Sequence, residues 1–60
     1  MKLKGFVKLS NDIFINVRNI KSYEKCLNGY FINFVGEYNP LYVTDYEFDL
    51  IEEEFNNLYK

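Results

Sequence analysis

Sixty residues, 48% hydrophobic and 20% aromatic, allow one small domain that buries only roughly 60% of its unfolded surface. The net charge of −2 hides a division: residues 1–28 carry +4 and residues 29–60 carry −6, so the fold must show a basic and an acidic region. No histidine and a single cysteine, Cys26, remove the commonest general base and metal ligand and exclude an internal disulfide.

From the start of the chain, Leu3, Gly5, Val7 and Leu9 alternate with Lys4, Phe6 and Lys8, which predicts a strand over 3–9 with one buried face. Ser10-Asn11-Asp12 is a turn cluster, and Ile13 to Val17 resumes the alternation, so 3–17 reads as a β-hairpin. A weaker third strand runs from about Ile20 to Cys26, where Ser22, Glu24 and Lys25 blur the alternation. Leu27-Asn28-Gly29 follows, and Asn-Gly is the strongest short hairpin signal because both residues tolerate positive φ. Tyr30 to Val35 forms the next strand, 36–40 a loop, and Leu41-Tyr42-Val43 a short fifth strand.

Thr44 opens a different element. Thr44-Asp45-Tyr46-Glu47 matches the capping box, with Val43 and Phe48 at the staple positions. Acidic residues in the first turns suit the positive end of the helix dipole. Phe48, Ile51, Phe55 and Leu58 recur every three to four residues, predicting an amphipathic helix over 45–58. Its stripe must be buried on the side of the sheet that carries Val7, Leu9, Ile13, Ile15, Val17 and Ile32. The expected fold is α+β: a small antiparallel sheet of four to five strands, a β-meander, with one C-terminal amphipathic helix packed on one face.

Little in the chain supports catalysis. Cys26 beside Lys25 has the makings of an activated thiol, but a small residue ending a strand explains it as well. Glu52-Glu53-Glu54 are consecutive on a helix, point in three directions and cannot converge on one cation. The three glycines are isolated and form no phosphate loop. The expectation is a protein that is not an enzyme, with no catalytic residue, no metal and no cofactor.

Recognition is the better reading. Lys4, Phe6, Lys8, Phe14, Arg18, Lys21, Tyr23 and Lys25 alternate away from the expected core, so aromatic and basic side chains interleave. Such a face suits either a protein partner or a nucleic acid, on which rings stack and ammonium groups track phosphates. Only one arginine and an overall negative charge favour protein. On the helix, Asp45, Asp49, Glu52, Glu53 and Asn56 form an outward ridge. That ridge either serves solubility or imitates nucleic-acid charge in a basic groove.

The frame Ile15-Asn16, Asn19-Ile20, Tyr23-Glu24, Tyr30-Phe31-Ile32 and Tyr42-Val43 ahead of an acidic helix resembles FlbD-like flagellar proteins and short phage proteins built as a β-meander plus helix. The likeness spans roughly residues 7–55, although Leu27-Asn28-Gly29 replaces the Pro-Asp step of the flagellar proteins' central hairpin. It implies the fold and transfers no functional residue.

The expectation is therefore a protein-interaction module, encoded by a phage or mobile element with AT-rich codon usage, that binds and modulates or inhibits a host protein. Phe6, Phe14 and Tyr23 are the expected aromatic anchors, and Asp49, Glu52 and Glu53 the charged ridge. The partner would be a host protein with a basic surface, and twelve aromatics in so small a domain also predict a homo-oligomer. A nucleic-acid-binding regulator and a structural subunit of a larger assembly are the alternatives. No apolar run reaches the ~20 residues of a membrane span. The lone cysteine and the interruption of any leader-like apolar stretch by Lys8 predict a cytoplasmic setting without a membrane partner.

Overall fold

The computed structural model describes residues 4–59; Leu3 of the first expected strand lies outside them. Two short strands, β1 (Phe6–Lys8) and β2 (Phe14–Asn16), pair antiparallel with Val7 opposite Ile15. Their connection turns on Asp12, the one non-glycine residue described with positive φ (63°), and closes through Leu9 N–H donating to the Ile13 carbonyl at 2.7 Å. Aspartate tolerates this left-handed conformation better than most residues.

The chain then leaves the first sheet. Val17–Asn19 forms one 3-10 turn, capped by the Asn16 side chain, which accepts a hydrogen bond from Arg18 N–H at 3.0 Å. Val17, 1% exposed, pins this turn into the core. The turn redirects the backbone, so β3 (Ile20–Cys26) pairs with β4 (Gly29–Phe34) and β4 with β5 (Leu41–Thr44) in a separate sheet. The expected single sheet of four to five strands is thus two antiparallel sheets, of two and three strands. The alternation in 3–17 marks the first two strands but cannot show that the Asn16 cap ends their sheet before β3.

The third strand is regular and, at seven residues, the longest. Its blurred pattern reflects its position: as an edge strand it is exposed over Lys21–Lys25, so burial imposes no alternation. A register shift between Ile20 and Ser22 disturbs its phase further. The β3–β4 hairpin falls where Asn-Gly predicts, for another reason. The turn is Leu27-Asn28, neither with positive φ, while Gly29 already belongs to β4. A Cβ at Gly29 would overlap the Val43 carbonyl oxygen, so glycine is required there for close backbone approach. The Tyr42 hydroxyl donates to the Asn28 carbonyl at 3.0 Å and ties the turn to β5.

Helix α1 spans Asp45–Leu58, as the periodicity predicts. Its capping box is complete: the Thr44 hydroxyl accepts from Glu47 N–H, and the Glu47 carboxylate accepts from Thr44 N–H. The helix packs on β1, the 3-10 turn, β4 and β5. Between these layers lies a core of Val7, Leu9, Ile15, Val17, Ile32, Val43, Phe48 and Ile51. Ile13, expected inside, is instead exposed beside Phe14.

Candidate functional site

The helix face turned to the core keeps only part of the apolar stripe read from the sequence. Phe48 and Ile51 are buried and Leu58 is partly so, but Phe55 is 44% exposed. Glu47 and Glu54 are buried in its place. Seven residues make two helical turns, so these two carboxylates share one face with Ile51 between them. Each grips the first hairpin. Glu47 accepts the Ser10 hydroxyl at 2.6 Å and Ser10 N–H at 3.0 Å, while Glu54 accepts Gly5 N–H at 2.8 Å. Bonds from the Ser10 hydroxyl first, then from Thr44 and Ser10 N–H, draw the Glu47 carboxyl down from 4.5 to about 2. The helix therefore clamps the two-stranded sheet at both ends by hydrogen bonds to charged acceptors. The sequence carries one signal of this clamp: two glutamates seven apart that fall on the core side of an otherwise apolar face.

The six expected contact residues do not share one surface. Phe6 is half-buried and shares a shallow hollow with Leu50 and Glu53, against the helix. Phe14, 63% exposed, lies at the mouth of a different hollow with Ile13, Val35 and Pro40. Tyr23 is 56% exposed, yet its ring meets Phe48 at 5.0 Å and Tyr30 at 5.9 Å, which places it on the helix side of β3. Glu52 stands beside Tyr23 and Phe48 in a groove between β3 and α1, Glu53 faces the hollow on the opposite side of the helix, and Asp49 is exposed between them.

The continuous basic-aromatic face is accordingly absent. Because the first and third strands belong to different sheets, their alternations do not combine into one surface. Lys25 reaches the helix start, where its ammonium meets the Asp45 carboxylate at 2.8 Å and sits 4.8 Å from the Tyr30 ring centre. The hydrogen bond to Asp45 raises the Lys25 pKa. Lys8 pairs with Asp12 at 3.3 Å, and the Arg18 guanidinium donates to the Lys4 carbonyl at 3.2 Å. Three of the expected cations are engaged within the domain.

The groove between β3 and α1 holds two of these residues, Tyr23 and Glu52. It encloses about 250 Å³ and is lined by Ile20, Tyr23, Phe48, Ile51, Phe55, Glu52 and Asn56. Ile20 and Tyr23 form its β3 wall and Phe48, Ile51 and Phe55 its helix wall, and behind that wall Tyr30 stacks on Phe48 with centroids 3.7 Å apart. Among the described residues no three metal-ligating side chains gather, and no helix is long and apolar enough to cross a membrane. No family model matches the chain, nor does any curated protein or solved structure.

Proposed function

We propose that this domain is a non-enzymatic protein-binding module, phage- or mobile-element-encoded, that modulates or inhibits a host protein presenting a basic surface. One observation carries the reading: large apolar side chains stand exposed all round so small a domain. Tyr38 is fully exposed, Leu27 is 90% exposed, and Tyr46, Val35, Phe14 and Tyr59 are all above 60%. Aromatic rings at a surface are the side chains that most often anchor protein contacts. Self-association is a second means of covering part of this surface. The engagement of Lys8, Arg18 and Lys25 within the domain weakens the nucleic-acid alternative, which needs mobile cations for phosphates.

The test is affinity capture from a lysate of the natural host, treated with nuclease, at low and high salt, with the proteins identified by mass spectrometry. A single stoichiometric protein, released when Asp49, Glu52 and Glu53 are all reversed to lysine, supports the module. Recovery of nucleic acid in the untreated lysate, or of nothing besides the domain itself, overturns it.

A further inference from the structure

We propose that the groove between β3 and α1 receives an extended, basic peptide segment of another protein, which lies along β3 as an added strand. The inference rests on the protein-binding reading and names its site and the chemistry of its partner.

Three features converge on this slot. First, β3 is the terminal strand of its sheet, so alternate backbone N–H and C=O groups along its seven residues face away from β4. An extended chain satisfies such groups by continuing the ladder, and side-chain pockets then supply the selectivity. Second, a pocket adjoins this edge. Ile20, Tyr23, Phe48, Ile51 and Phe55 line it, and its roughly 250 Å³ falls below the ~300–1,000 Å³ of a typical small-molecule site. That volume suits one anchoring apolar side chain of a peptide. Phe55 lies on the apolar stripe of the helix yet is 44% exposed, because none of the described residues closes this side of the slot.

Third, the rim has a sign. Asp49, Glu52 and Asn56 succeed each other at three- and four-residue spacing along one exposed strip of α1. Neither Asp49 nor Glu52 has a cationic partner among the described residues. Of the two lysines on the facing strand, Lys25 is already paired with Asp45 and Lys21 does not line the groove. A segment with lysine or arginine beside its apolar anchor complements this rim, and an acidic one is repelled.

The experiment screens the full-length protein against a display library of random linear decapeptides and titrates the enriched peptides into 15N-labelled protein. The expected peptides place lysine or arginine next to an apolar residue and shift the amides of residues 20–26 and 52–56. Glu52→Lys should weaken their binding about tenfold, and so should N-methylation of alternate peptide amides. Phe55→Ser, at a half-exposed position, should abolish binding while leaving the circular dichroism spectrum intact. The proposal is overturned if no peptide is enriched, if the enriched peptides are acidic, or if the shifts fall on the first hairpin. Concentration-dependent shifts of these same amides in the free protein, with a dimer in sedimentation, would put a second copy in the slot and also refute it. Host-protein capture that survives both Glu52→Lys and Phe55→Ser would refute the slot alone and leave the binding module standing.

Discussion

Replacing Glu47 by glutamine should remove much of the stability of this domain at neutral pH and very little of it at pH 2. The Glu47 carboxylate accepts hydrogen bonds from Ser10 and Thr44 and is 8% exposed, so its charged form is held by the fold. A group that titrates near 4.5 when free and at about 2 here contributes up to about 3 kcal/mol to folding. The sign is set by the lowered value. The unfolded chain takes up the proton first as pH falls, so the contribution is complete above 4.5 and drains away between 4.5 and about 2. A domain of this length has roughly 3–9 kcal/mol in total. One carboxylate therefore decides whether it is robust or marginal.

The assay is urea unfolding of the native protein and Glu47→Gln in parallel from pH 7 to pH 2. Other carboxylates titrate in both proteins, so the difference between the curves isolates Glu47. A gap of about 2–3 kcal/mol at pH 7 that closes towards pH 2 is expected. Ser10→Ala should move the carboxyl titration back towards 4.5, since the Ser10 hydroxyl is the largest cause of the shift. A gap that stays constant over the whole range would refute the reasoning: the loss would then come from packing, with no role for the charge.

Gly29→Ala should cost more than about 2 kcal/mol, because the new Cβ overlaps the Val43 carbonyl and forces β4 from β5. Gly36→Ala meets no neighbour and should cost only about 1 kcal/mol for its φ of +83°, as paired thermal melts would show. Lys25→Ala should lower stability only slightly in urea titrations, and less still in 1 M salt, since the pair with Asp45 is more than half exposed. Ile32→Ala, in a fully buried position, should cost about 2–5 kcal/mol in urea titrations, whereas Tyr38→Ser should leave stability within about 0.5 kcal/mol.

The helix was legible almost to the residue, because its start is a local event: Thr44 and Glu47 satisfy each other across three residues whatever surrounds them. The five strands were legible as segments, and so were most core positions, because alternation reports burial on one face. The division into two sheets was not, since it depends on the 3-10 turn at Val17–Asn19, which the Asn16 side chain caps and the buried Val17 anchors. Sidedness on β3 was also lost. An edge strand exposed along its length carries no pattern of burial, so Tyr23 and Lys25 read as outward although they meet Phe48 and Asp45. Of the contact residues, exposure was legible for Phe14, Tyr23 and the helix acids. Their separation onto different surfaces required knowing where β1 and β3 sit relative to α1.

The division of charge along the sequence takes on a different meaning in the fold. On a helix each residue turns about 100° from the last, so consecutive acids have unlike surroundings. Glu54 points inward to Gly5 N–H, while Glu52 and Glu53 flank hollows on opposite sides of the helix. Asp45 holds Lys25, and Glu47 holds Ser10. Much of the −6 carried by the second half is thus used to fasten that half to the basic first half. The acids that the helix leaves for a partner are Asp49, Glu52 and Glu53. Asp49 and Glu52 lie on the side of the β3–α1 groove and Glu53 on the other side of the helix, so the acids available to the proposed peptide number two, enough for one or two basic side chains beside an apolar anchor.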